Sequence, residues 1–402
     1  MKKTIIAITV LVGFTTYSQS LDEYVNIAIK NNSNLKVKSA DYKLAKEKVN
    51  EVGTYDNTNL SLGAFALTPE TRVGSQLFKV GVSQKLPWFG EFDVQKDAVK
   101  ALAEIKQYDI TLTERDLTFQ VKNAYYNIYK ELAITEILKE NKLILKTYEN
   151  MALAALSNNR ATMSDVLRIR VQKNELHSKI FQNINSIEIL NKNFNKLLQQ
   201  DQNTFLNVVD SLNVLDILVG NKTINQHPSL ERISEMQLVY KAQEKLINID
   251  KKPKITVSLD YILVDGYTNS NPSQNGKDIL MPKISVGIPL FNKKHQSQYK
   301  QLKIQEEQIQ DALENQKNIL EMELDNTKLA LDNAILSVVA AQKNKTEIQR
   351  AINVDLKAYE TGILDYDKIL RLQLQKIRFQ LMEIEAIKKA FIAKAKVAYL
   401  TE

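Results

Sequence analysis

Two stretches of the chain carry apolar residues at helical spacing for far longer than a globule needs. Val99, Ile110, Val121, Leu132 and Leu143 return every eleven residues, and so do Leu302, Leu313, Leu324 and Ile335. Eleven residues over three turns is about 3.67 per turn, near the free-helix value of about 3.6, so such a stripe holds to one face of an almost straight helix. No backbone breaker interrupts either stretch: neither Gly nor Pro occurs in the 129 residues Glu91–Val219 or the 72 residues Leu290–Thr361. The pattern predicts long helices over about 91–157 and 292–360. Each would be roughly 100 Å long at ~1.5 Å per residue, a rod no single globule contains.

Ahead of each helix the period changes to two. Leu60, Leu62, Ala64 and Ala66 alternate with Ser61, Gly63 and Phe65, and Phe78, Val80, Val82 and Leu86 alternate with Lys79, Gly81, Ser83 and Lys85. Further on, Ile255, Val257, Leu259, Tyr261 and Leu263 alternate with Lys254, Thr256, Ser258 and Asp260, and Ile284, Val286, Ile288 and Leu290 with Lys283, Ser285 and Gly287. These are two hairpins of strands with one apolar and one polar face, predicted at about 57–67, 77–87, 254–264 and 280–290. About ten residues is what a tilted strand needs to cross a bilayer, and the loop Asp265–Asp278 is long and polar. A small sheet packed by its apolar face on the helices is the alternative.

The chain also repeats itself. Val166, Leu167, Arg168, Gln172 and Lys173 match Ile369, Leu370, Arg371, Gln375 and Lys376 at an offset of 203, and Leu117, Val121, Ile128 and Leu132 fall at the same offset on Leu320, Leu324, Leu331 and Ile335. Two copies of one supersecondary unit follow. The first is expected over 21–223, with a turn at 158–164, a return helix to about 200 and a further segment 201–223; the second spans 224–402, with a turn at 361–367 and a return helix to about 400.

Composition narrows the setting. Lys2 and Lys3, an apolar run from Ile5 to Phe14, and small or polar residues through Thr16, Ser18 and Ser20 have the order of a secretory signal, expected over 1–20 with cleavage between Tyr17 and Leu21. No later segment approaches eighteen uninterrupted apolar residues, so no transmembrane helix is expected in the mature chain of what reads as a bacterial protein. Zero Cys removes disulfides, thiol nucleophiles and lipid attachment through cysteine. The net charge of +7 falls to +5 without the first twenty residues, 52 basic against 47 acidic, and the charges are interspersed, which suits a solvated helical surface better than a nucleic-acid footprint. His177, His227 and His295 lack metal-ligand spacing, and no phosphate loop, nucleophile elbow or zinc motif occurs. Neither catalysis, metal nor cofactor is expected.

Four amphipathic strands cannot close a barrel, because lipid tolerates no unpaired edge and about eight strands is the practical minimum. The chain must therefore borrow strands from other copies. Two chains supply eight strands and three supply twelve, and a trimer of two-repeat chains would make a ring of six similar units. Strands in the membrane and rods below it would then form one conducting tube.

Here the residues match a family: from about 21 to 400 the sequence resembles the TolC-like outer-membrane efflux proteins. The carriers are Leu-Pro-Trp-Phe-Gly at Leu86–Gly90 and Gly-Ile-Pro-Leu-Phe-Asn at Gly287–Asn292, where strand passes into long helix. Asn34-Leu35, His227-Pro228-Ser229-Leu230 and the turns around Asn159 and Gly362 complete the set. The resemblance implies a mainly α fold with membrane β-hairpins, assembled as a trimeric α/β-barrel tube. It implies an exit duct of a tripartite efflux or type I secretion machine, in the outer membrane of a Gram-negative bacterium and reaching into the periplasm. Its partners would be two further copies, outer-membrane lipid, a periplasmic adaptor that grips the turns, and an inner-membrane pump of RND or ABC type. A soluble periplasmic coiled-coil adaptor or scaffold is the competing reading.

The turns hold the candidate pore-entrance and adaptor-contacting residues: Asn159, Arg160, Thr162, Ser164 and Asp165 in the first, and Gly362, Ile363, Asp365, Tyr366, Asp367, Lys368 and Arg371 in the second. Gly362 and Asn159 suit the left-handed conformation that ends a helix. The acids Asp165, Asp365 and Asp367 stand near the positive ends of the return helices, where they can cap or, tripled by symmetry, ring a pore and favour cations. The family narrows its pore with an acidic pair after the second-turn glycine, but those positions here are Lys368 and Arg371. Trp88 and Phe89 suit a membrane-interface aromatic belt or a core anchor.

Overall fold

A computed structural model describes residues 20–208, 211–214, 217, 223–270, 272–291, 293–360 and 366–401. Residues 1–19 of the expected signal segment 1–20 and the turn residues Gly362, Ile363 and Asp365 lie outside the described residues. The chain divides into two compact units, one of Asn34–Leu112 and Asn225–Ile319, the other of Met1–Ser33, Thr113–Ile224 and Leu320–Glu402.

The first unit holds a single antiparallel sheet. Its strands are β1 (Asn59–Ala64), β2 (Glu70–Thr71), β3 (Gly74–Leu86), β4 (Lys254–Asp265) and β5 (Ile279–Gly287). The order is β1-β3-β4-β5, with the two-residue β2 paired to β3, so the two sequence hairpins join through β3 and β4. Strand β1 is only 6 residues long, shorter than the alternation over 57–67 suggested. Phe65 still donates to the Leu77 carbonyl at 3.0 Å, and the chain then turns into β2 through Pro69, which has no N–H to extend a ladder. Strand β5 tolerates Pro282 because it lies at the sheet's edge, where one side of the backbone needs no partner. Gly74 turns the chain at φ +135°, and a side chain there would lie 2.0 Å from the Asp265 carbonyl oxygen. Helices α2 (Ser33–Glu51) and α5 (Pro228–Asp250) precede the hairpins.

The second unit is helical. It contains α1 (Leu21–Asn31), α4 (Met163–Leu197), α7 (Tyr366–Thr401) and parts of α3 (Glu91–Ser157) and α6 (Lys293–Glu360). Helix α3 runs 67 residues and α6 runs 68 without a break, as the lack of Gly and Pro requires. The eleven-residue stripe does not set their packing throughout. Leu132 and Leu143 are 38% and 66% exposed, whereas Leu138, Leu145 and Ala152 are buried at seven-residue spacing, as are Leu324, Leu331 and Val338. Seven-residue spacing is the mark of knobs-into-holes seams between helices that wind around one another with a left-handed supercoil.

One core joins α3, α4 and α7 through Leu138, Leu145, Val166, Ile169, Tyr366 and Ile369, with Leu356 and Tyr359 of α6 packed against it. Within its span, Asn141 of α3 accepts from Gln373 Nε2 at 2.6 Å and donates to Gln380 Oε1 at 2.9 Å, so a buried polar joint between α3 and α7 is satisfied. Around α1, Tyr24 meets Phe194 edge to face at 5.3 Å, and the Asn207 N–H donates to the Tyr24 hydroxyl at 2.8 Å. Asn195 Nδ2 donates to the carbonyls of Gln202 and Thr204, both at 2.9 Å. These contacts tie the start of the 201–223 segment to the helices. No helix of the described residues is long and apolar enough to cross a membrane.

Candidate functional sites: the two-faced sheet and the helix turns

The pairing register sorts the sheet's side chains onto two faces. On one lie Leu60, Val82, Leu259 and Pro282 in one row, Leu62, Val80, Tyr261 and Leu280 in the next, and Val257 with Ile284 beyond. Because successive residues alternate sides, a one-residue slip would exchange the faces, and this register holds the apolar set together. That face is bare: Leu62 is 76% exposed, Ile284 71% and Leu60 66%. It is not packed on the chain's own helices.

The opposite face carries Ser61, Gly81, Asp260 and Met281 in one row, Ser83, Ser258 and Lys283 in the next on one side, and Gly63, Lys79, Ile262 and Ile279 on the other. Asp260, almost wholly covered, pairs with Lys79 Nζ at 2.7 Å and Lys283 Nζ at 3.5 Å. Lys85 pairs with Asp56 at 2.7 Å, and Lys254 with Asp250 at 3.2 Å. Sequence reasoning put Lys79, Asp260 and Lys283 on the polar side but missed the cluster. The signal was available, since the three are the only charges in the middle rows of this face, yet bringing them together needs the β3–β4 pairing across some 180 residues of chain.

The candidate interface aromatics part company. Trp88 is half-buried; its indole N–H donates to the Pro253 carbonyl at 2.5 Å, and Lys252 Nζ stands 5.5 Å from the ring centre, so it anchors the base of the second hairpin. Phe89 is 99% exposed.

At the first turn, Asn159 takes φ +57°, the Arg160 N–H donates to the Ala155 carbonyl at 2.8 Å, and the Asn159 N–H donates to that of Leu156 at 3.1 Å, the paired bonds that close a helix at a left-handed residue. Thr162 caps α4 reciprocally with Asp165: Asp165 Oδ2 accepts from Thr162 N at 2.9 Å and from its hydroxyl at 2.7 Å, and Thr162 Oγ1 accepts from Asp165 N at 3.3 Å. Arg160 and Ser164 are exposed.

At the second turn, Tyr366 is a core residue and not a lining one. It is 2% exposed, with Tyr148 and Tyr359 at 5.7 and 5.5 Å, and burial pushes its hydroxyl pKa well above the ordinary value. Asp367 is held by Arg371 of its own helix at 2.6 Å and by Arg168 of α4 at 3.1 Å. Lys368 and Arg371 are exposed, Arg371 with its side chain 71% accessible. Arg168 was noticed in the sequence only as a repeat match; its pairing with an acid 199 positions away is a product of the fold. Further up α3, Glu149 takes Arg170 Nε at 2.6 Å and also Lys173, and these hydrogen bonds hold its carboxyl below the ordinary carboxylate range. Among the described residues no group of His, Asp and Glu could hold a metal ion.

No protein-family model and no curated protein sequence matches the chain. Solved structures do. The chain resembles CusC, described with the folding and formation of its transmembrane channel, at 14% identity and a TM-score of 0.76 over 96% of each chain. It resembles the outer membrane protein VceC of Vibrio cholerae at 11% identity and a TM-score of 0.73, covering 94% of this chain and 95% of that one. It also resembles the open state of the MtrE outer membrane channel of Neisseria gonorrhoeae at 13% identity and a TM-score of 0.73, covering 94% and 88%. The fold is the one these outer-membrane channels share.

Proposed function

We propose that this chain is the outer-membrane exit duct of a tripartite efflux or type I secretion assembly in a Gram-negative bacterium, and not an enzyme. The observation that carries it is the sheet: a bare apolar face backed by a polar, charged one, with β1 and β5 as outer strands lacking a second partner among the described residues. Water penalises the first feature and lipid the second, so a lipid-facing cylinder closed by further copies satisfies both. Three copies give twelve principal strands. Supporting the six-unit ring, residues at the offset of 203 are buried alike: Leu117 with Leu320, Val121 with Leu324, and Ile128 with Leu331. The competing scaffold reading needs the apolar face covered by the chain's own helices, and it is not.

In this reading the polar sheet face lines a water-filled lumen, Phe89 meets the interface, and the turns form the periplasmic tip that an adaptor grips and an inner-membrane pump feeds. Asp165, already capping α4, and Asp367, already between two arginines, position the return helices at that tip.

Fractionation and electrophysiology test it. The full-length protein is expected in the outer-membrane fraction as a trimer that dissociates on heating, and the purified trimer is expected to insert conducting pores into planar bilayers. Reversing charge at Asp165, Asp365 and Asp367 should change the conductance of those pores; unchanged conductance would reduce the acids to helix caps. A monomer recovered in the periplasmic wash without detergent refutes the duct.

A further inference from the structure

We infer that the polar face of the sheet makes the duct prefer anions, through a cationic excess built around Asp260; this rests on the duct reading above. Four lysines, Lys79, Lys85, Lys254 and Lys283, lie on that face of the strands against one acid, Asp260. Lys85 and Lys254 stand at the base and are paired from outside the strands with Asp56 and Asp250, the latter shared with Lys294 at 3.7 Å. In the middle rows a single carboxylate serves two amines, so each chain leaves one uncompensated positive charge.

The geometry sets which sign a passing solute meets. The Asp260 side chain is 5% exposed, whereas those of Lys79 and Lys283 are 34% and 48% exposed, so the acid lies against the wall and the ammonium groups stand over it. The neighbouring Gly81 makes room for this. A Cβ at Gly81 would lie 2.4 Å from Asp260 Oδ1 and 2.6 Å from Ser61 Oγ, so any larger residue displaces the carboxylate from its seat. With three copies around one lumen, the surplus ammonium groups face each other across water bounded by low-dielectric walls, which concentrate the field. Among the described residues of the second turn, Asp367 likewise carries two basic partners, Arg168 and Arg371. Solutes with net negative charge would pass more readily than cations of equal size.

Reversal potentials in a KCl gradient, measured on the full-length trimer in planar bilayers, test this directly. The wild type should reverse on the chloride side, D260N further to that side, and K79E/K283E on the potassium side. Because three clustered acids could prevent assembly, K79Q/K283Q provides a milder arm and should move the potential toward zero. A potassium-selective wild type overturns the inference. So does a lysine-pair variant with wild-type conductance and an unmoved reversal potential, which would make the cluster a strand clamp only. Failure of the wild type to conduct at all falls instead on the duct reading.

Discussion

In the sheet, the large apolar side chains Leu62, Ile284 and Leu60 are exposed while Asp260 is covered by its lysines; in the helical core beside the first turn, Val166, Ile169 and Leu145 are fully buried while Arg168 and Arg371 stand outside. One chain thus uses two opposite rules for the same kinds of residue. The helical core follows the rule of water, in which apolar area leaves the solvent and charge stays in it. The sheet reverses it, leaving apolar side chains exposed and a carboxylate covered, an arrangement that fits the lipid outside and water within of the proposed duct. Under the proposed function, burial is a statement about the surrounding medium and not about the residue.

The contrast is most sharply broken at Ile284, near the middle of β5 on the bare face. Ile284→Arg should cost about 2–4 kcal/mol of folding into vesicles if that position meets the bilayer interior, read from urea-dependent folding with lipid present. An unchanged midpoint would mean the face does not contact hydrocarbon. The same logic applied to the helices predicts a comparable loss from a cavity. Ile169→Ala should cost about 2–5 kcal/mol and lower the thermal midpoint of the detergent-solubilised protein without altering its membrane fractionation. If fractionation failed as well, the two regions would be energetically inseparable.

The smallest effect belongs to the charges outside the helical core. Glu149 has its carboxyl held below its ordinary value of 4.5 by Lys173 and Arg170. A lowered folded-state pKa means that the stabilisation is complete above the unfolded value and disappears as pH falls through the folded one. Thermal stability should therefore decline as the medium is acidified below about pH 4.5, and Glu149→Gln should be less stable at neutral pH with a shallower acid decline. Parallel pH profiles for the two proteins would remove Glu149 as a contributor.

Much of the fold was readable from the sequence because its signals are local. Period two around Val80 and Leu259 and the long absence of Gly and Pro in α3 and α6 act within a few residues of themselves. The site was less legible. Asn159 and the Thr162–Asp165 cap could be read from residue type and spacing, since both are bonds between neighbours. Tyr366 could not: between Asp365 and Asp367 in the sequence it looks like lining, and only the rings of Tyr148 and Tyr359 make it core.

Alternation and helical periodicity by themselves determined which segments became strands and which became rods, because backbone conformation responds to side chains a few positions away. Tertiary structure alone decided which face each element turned to which neighbour. It chose the seven-residue seams over the eleven-residue stripe, hung Trp88 on the Pro253 carbonyl, set Arg168 on Asp367 and gathered two lysines around Asp260. Those partners lie on different helices or strands, and no local rule chooses among the surfaces a helix or strand could meet until packing and pairing have fixed one.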